Sequence, residues 1–136
     1  MRILLADNQA KVRFALRVLL ERQPGFEVVG ETATSEGLLA HTANLCPDLV
    51  LLDWALAGPS AAELLPALRA RCPKLTVIAL SGRPGMHREA LAAGADDFVS
   101  KGKPPEHLMA AIKRCCRDGE TATSGNVLSG EDALAT

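Results

Sequence analysis

Tyrosine is absent from this 136-residue chain, and aromatic residues make up only 3% of it. So few rings count against a stacking platform for single-stranded nucleic acid. An excess of one charge is missing too: 15 Lys and Arg against 16 Asp and Glu leave a formal net charge of -1. Such a balance offers no basic face to a phosphate backbone. No apolar run approaches the roughly 18 residues that span a membrane. "MRILLADNQ" at the start reaches polar and acidic residues too early for a secretory signal, so the chain reads as cytoplasmic, with no membrane partner. Its four cysteines, Cys46, Cys72, Cys115 and Cys116, form no CxxC pair and have no histidine at ligand spacing, which argues against zinc. They are expected to be reduced thiols without a role, Cys46 and Cys72 each standing before a proline at a helix end. His41, His87 and His107 fall on predicted helices at no ligand spacing and read as surface residues. No GxGxxG or Walker-type loop follows any apolar run, which disfavours a flavodoxin-like enzyme or nucleotide binder.

What the chain does have is length for one well-filled domain, with 48% hydrophobic and 23% charged residues. Short apolar runs alternate with helical patterns. Strands are predicted at Arg2 to Ala6, in "FEVVGET", at Leu49 to Leu52, at Thr76 to Leu80 and in "DFVS". Between them, helices are predicted from Ala10 to about Gln23, with Val12, Leu16, Leu19 and Leu20 on one side, and from Ser35, a plausible cap, to Asn44. A third runs to about Arg71 with Pro66 awkwardly inside it. A fourth spans Pro84 to Ala93 with proline in its first turn, and the last runs from Pro105 to about Arg117. This order implies an α/β fold, a doubly wound five-stranded parallel sheet with helices on both faces. Residues 1–118 form the domain, and the small polar stretch 119–136 reads as a linker or tail.

Within it, "PDLVLLDWALAG" ends an aliphatic run on a carboxylate, Asp53, followed by the only tryptophan, Trp54. A charged group left unpaired in a dry interior is costly, so Asp53 is placed at the strand's tip, on the solvent-facing edge of the sheet. Open α/β folds collect the carboxyl ends of their strands along one edge. Asp7 and Asn8, Asp53, Ser81 and Lys101 would therefore converge. Hard oxygen donors of this kind suit Mg²⁺, which takes one or two carboxylates and keeps several waters. A lysine and a hydroxyl beside them could bind the oxygens of a phosphoryl group.

The motifs "ILLADN", "EVVGE", "PDLVLLD", "VIALSG", "GADDFVSK" and "PPEHLMAAI" occur in an order and spacing that resembles a response-regulator receiver domain. The resemblance is to the kind carried by regulators with a LuxR/NarL-type helix-turn-helix output, and it covers about Arg2 to Arg117. It implies the flavodoxin-like (βα)5 fold and a two-component phosphorelay in which a histidine kinase phosphorylates Asp53 with Mg²⁺. Asp7 and Asn8 would stand in the metal-binding pair, and Ala55 would add its backbone carbonyl. Ser81 matches the switch hydroxyl, Lys101 the lysine that binds the phosphoryl group, and Phe98 the aromatic switch. The phosphorylated domain would change a protein-interaction surface and control an output, transcription in this kind of regulator. It would turn over no external substrate. A weak homodimer is implied, through the first and last helices or through the fourth helix, fifth strand and fifth helix. DNA would be reached only through an output domain absent from this chain.

The pattern departs from the family beside the site. Asn8 replaces an acid, Leu56 and Ala57 replace Met-Pro before Gly58, and Ser60 stands where an aspartate is common. Two charges about 4 Å apart interact by roughly 4 kcal/mol at an effective dielectric near 20, so metal binding is expected to be weakened. The alternative reading is a phosphorylation-independent pseudo-receiver. At single positions, Asn8 either ligates weakly or stabilises its loop, and Ser81 either switches or caps the next helix. Trp54 either packs or shields the site.

Overall fold

A computed structural model describes residues 1–57, 61–83 and 85–124. Five strands form one parallel sheet: β1 (Arg2–Ala6), β2 (Glu27–Thr32), β3 (Leu49–Asp53), β4 (Thr76–Ser81) and β5 (Asp97–Ser100), in the order β2-β1-β3-β4-β5. The helices are α1 (Ala10–Glu21), α2 (Ser35–Leu45), α3 (Trp54–Ala57), α4 (Ala61–Arg71), α5 (His87–Ala92) and α6 (Pro105–Ser124). After β2 the chain crosses β1 to start β3, so the winding reverses between β1 and β3, the switch point where open α/β sheets bind ligands.

The strands carry apolar residues on both faces, and their period of two sorts these into two cores. Leu4, Ala6, Val50, Leu52, Val77 and Ala79 point one way, into a cluster with Leu38 of α2, Leu64, Leu65 and Leu68 of α4, and Ala90 of α5. Ile3, Leu5, Leu49, Leu51, Ile78 and Leu80 point the other way, against Leu20 of α1 and Leu108, Ala111 and Ile112 of α6. Of the predicted α1 stripe, Leu16, Leu19 and Leu20 pack in or on the second cluster, whereas Val12 is half-buried apart from it; on α6, Cys115 packs there beside Leu108 and Ile112.

Several boundaries differ from the sequence reading. Thr34, not Ser35, caps α2, its hydroxyl accepting from Gly37 N at 3.0 Å. The third predicted helix is a short turn, α3, followed by α4, and Pro66 sits inside α4 on an exposed position. Helix α5 starts at His87 rather than Pro84, which lies outside the described residues; Gly85 at φ +84° stands just before it. Helix α6 continues past Arg117 to Ser124, and 125–136 lie outside the described residues.

The cysteine expectation is overturned. Cys46 and Cys72 are joined by a disulfide with their Cα atoms 5.7 Å apart, a separation that suits the bond. Parallel winding explains it. Helices α2 and α4 both return to the amino edge of the sheet, where they feed the adjacent strands β3 and β4, so their C-terminal residues become neighbours.

Candidate functional site

The site assembles at the opposite, carboxyl edge. Asp7 follows β1 directly, and its backbone N–H donates to Thr32 O at the end of β2 at 3.1 Å. The side chain turns back on its own loop: Oδ1 accepts from Gln9 N at 2.8 Å. Arg13 of α1 donates to the Asp7 carbonyl at 2.7 Å, fixing the loop against the helix. Asp53 is the last residue of β3, and its Oδ1 accepts from Ala55 N at 3.1 Å in the first turn of α3. Both carboxylates are buried, 1% and 2% exposed. Asp53 therefore sits at the strand end as read from the sequence, but covered rather than open to solvent.

Lys101 joins them. Its Nζ lies 2.7 Å from Asp7 Oδ2 and 3.4 Å from Asp53 Oδ1. The residue is placed by β5, where Ser81 pairs with Ser100 and Lys101 N donates to Ser81 O at 2.8 Å. The short contact to Asp7 Oδ2 is an ion pair rather than an aligned hydrogen bond, and that buried oxygen has no hydrogen-bond partner. Among the described residues, two buried carboxylates thus share the ammonium of half-buried Lys101. Such a carboxylate pair favours a cation.

The donor set fits Mg²⁺. Asp7 and Asp53 could supply hard oxygens, and Ala55, whose backbone N–H donates to Asp53 Oδ1, lies in the turn beside them. Among the described residues no group of three or more His, Cys, Asp or Glu side chains could cage an ion. Mg²⁺ needs none, because it binds through one or two carboxylates and retains water. Asn8 follows Asp7 on an exposed position.

Ser81 ends β4, 3% exposed. Since Asp53 pairs with Leu80, Ser81 stands one residue further along the neighbouring strand. Its Oγ accepts from Arg83 N at 3.0 Å, closing a local turn rather than capping α5. Phe98 of β5 is half-buried, packed on the first cluster and stacked on the exposed His87 ring at 5.2 Å between centroids. The strand ends therefore bring Asp7, Asp53 and Lys101 into direct contact, with Ser81 beside them and Phe98 set back along β5, opposite Ala79.

Glu89 escaped the sequence reading. Trp54 is buried, packs into the first cluster, and donates its indole N–H to Glu89 of α5 at 3.1 Å. The residue next to Asp53 is thereby tied to a helix 35 positions away. Nothing at position 89 signalled this, since a carboxylate on a helix surface is ordinary.

Residues 3–113 match the family model described as the response regulator receiver domain. The chain is 34% identical over 121 residues to the phosphate regulon transcriptional regulatory protein PhoB of Pseudomonas aeruginosa, covering 85% of this chain and 51% of that protein. It is 32% identical over 112 residues to the nitrate/nitrite response regulator protein NarL of Escherichia coli K12, covering 81% and 52%. It therefore spans about half the length of these curated relatives. A LuxR-family two-component response regulator from Aurantimonas sp. SI85-9A1 superposes with a TM-score of 0.74 at 29% identity, over 98% of this chain and 92% of that one.

Proposed function

The chain belongs to the response-regulator receiver family, and on that premise we propose that Asp53 accepts a phosphoryl group from a histidine kinase and so switches a protein-interaction surface. The observation that carries this reading is the buried pair Asp7 and Asp53 bridged by Lys101 at the switch point of the sheet.

In the proposed step an Asp53 carboxylate oxygen attacks phosphorus in line, the bond from phosphorus to the donor's imidazole nitrogen breaks, and the electron pair leaves with the imidazole. The product is an acyl phosphate on Asp53. Asp7, Asp53 and the Ala55 carbonyl, with Asn8 alongside, would hold Mg²⁺, which would supply positive charge to the transferring oxygens. Lys101 leaves its ion pair with Asp53 to bind one of those oxygens. Ser81 gives up its bond from Arg83 N and donates its hydroxyl to another. Phe98 then repacks along β5 and α5, the aromatic switch that carries the change to the surface.

The domain turns over no external substrate. In the longer regulator its output would be transcriptional, through a DNA-binding domain outside this chain, as the relatives' names suggest, and the protein would work in the cytoplasm. The phosphorylation-independent alternative rests on Asn8 and the altered turn alone, and the comparisons do not support it.

The test is incubation with acetyl phosphate and Mg²⁺, read by intact mass. The wild-type chain should gain one phosphoryl group, and Asp53→Asn should gain none while keeping its circular dichroism. Equal uptake by the variant would remove Asp53 as the acceptor.

A further inference from the structure

The Cys46–Cys72 disulfide has features that a merely incidental pairing lacks. Each cysteine is the residue that closes a helix, Cys46 after α2 and Cys72 after α4, and each is followed by a proline that fixes the next φ. The chain leaving each cysteine is therefore restricted at its next residue. Cys46 also adopts φ 41°, ψ 66°, the left-handed helix-end conformation usually given to glycine. Among the described residues it is the one non-glycine with positive φ. A side chain is kept there at a conformational cost, which points to a use for it. The surroundings accept both oxidation states. Cys72 Sγ lies 3.4 Å from Thr42 O and Cys46 Sγ 3.8 Å from Arg71 O. These are plain contacts in the disulfide, but they become acceptors for the two S–H groups once it is reduced.

Accessibility is split between the partners. Cys46 is exposed, whereas Cys72 is 4% exposed. The bond lies just outside the first β3–β4 pair, Leu49 with Thr76, where Thr76 N also donates to Asp48 O at 3.1 Å. It closes a separation of 26 residues and bolts together the two loops that feed the centre of the sheet, at the edge opposite Asp53.

We propose that Cys46 and Cys72 are a reversible redox modification site, formed and broken by exchange with a small disulfide of the glutathione class. In the forward direction the Cys46 thiolate attacks one sulfur of oxidised glutathione and releases a glutathione thiolate. The Cys72 thiolate then attacks the Cys46 sulfur of the mixed disulfide and releases the second. Two protein thiols are oxidised, one glutathione disulfide is reduced to two thiols, and the two thiol protons end on glutathione. Reduction is the reverse, entering at exposed Cys46 and expelling the Cys72 thiolate. The oxidised form braces α4 against α2 by removing freedom from the unfolded chain.

The experiment equilibrates the full chain in mixtures of reduced and oxidised glutathione, traps remaining thiols with an alkylating reagent, and reads intact mass and linked tryptic peptides. The linked fraction should fall smoothly and reversibly as reduced glutathione rises. Oxidised protein should melt at least about 5 °C above reduced protein. Cys46→Ser should abolish that difference, and a Cys115→Ser, Cys116→Ser double variant should keep it. The proposal is overturned if wild-type protein in excess oxidised glutathione stays fully alkylated at both positions or carries glutathione on Cys46 alone. A link that persists in excess reduced glutathione, or equal melting of the two forms, overturns it as well.

Discussion

Asn8 is the neutral side chain beside the site's carboxylates, where an acid would add charge. It is exposed, next in sequence to a buried carboxylate that already shares its ammonium with Asp53. A neutral amide offers an ion one carbonyl oxygen, whereas a carboxylate adds charge, and strongly hydrated Mg²⁺ gives up water reluctantly. Asn8→Asp is close to isosteric and should tighten Mg²⁺ binding about tenfold, or about 1.4 kcal/mol, by calorimetric titration. An unchanged affinity would mean that residue 8 does not face the ion. Asp7, Asp53, Ser81 and Lys101 were legible in the sequence because parallel winding sends every strand end to one edge. Asp53 proved more covered than its position implied, because its own following turn and Lys101 close over it. The Trp54–Glu89 bond and the Cys46–Cys72 link were not legible. Both join helix positions far apart in sequence, and no local pattern of residues announces such a contact.

Among the elements, the strands were read closely, since runs that are buried on both faces leave little ambiguity. The helix limits were read less well, because a four-residue turn such as α3 (Trp54–Ala57) carries no period of its own. Helix α1 illustrates how polar contacts complete what the apolar stripe begins. Glu31 of β2 accepts from Arg13 at 3.1 Å and Arg17 at 2.6 Å, and Arg17 also meets Glu21 one turn on. Burial pushes the Glu31 carboxyl up, but the two guanidiniums outweigh it and leave it below the usual carboxylate value. A carboxyl lowered by folding contributes stability that is present above its unfolded value and is lost as pH falls through its folded value. Wild-type protein should therefore melt above Glu31→Gln near neutral pH, and the gap should close on acidification below the ordinary glutamate range. A gap that is constant, or that widens in acid, would show that the pair does not brace α1.

For the molecule as a whole, the sheet divides the labour: two apolar clusters hold its faces, the amino edge carries the disulfide, and the carboxyl edge carries the carboxylates and Lys101. Outside this plan stands Phe14 of α1, 68% exposed, a residue the sequence reading did not single out. An aromatic on an open helix face is a suitable anchor for a second copy. Sedimentation should show a weak homodimer that tightens with beryllofluoride and is loosened by Phe14→Ser; a strict monomer at high concentration in both states contradicts this. Phosphorylation of Asp53 can be read at the level of the single residue. After treatment with acetyl phosphate and Mg²⁺, borohydride reduction converts a phosphorylated aspartate to homoserine, and peptide mass spectrometry locates it. Homoserine is expected at position 53 and at no other aspartate. Homoserine at position 7 or elsewhere, or none at any position, would contradict this.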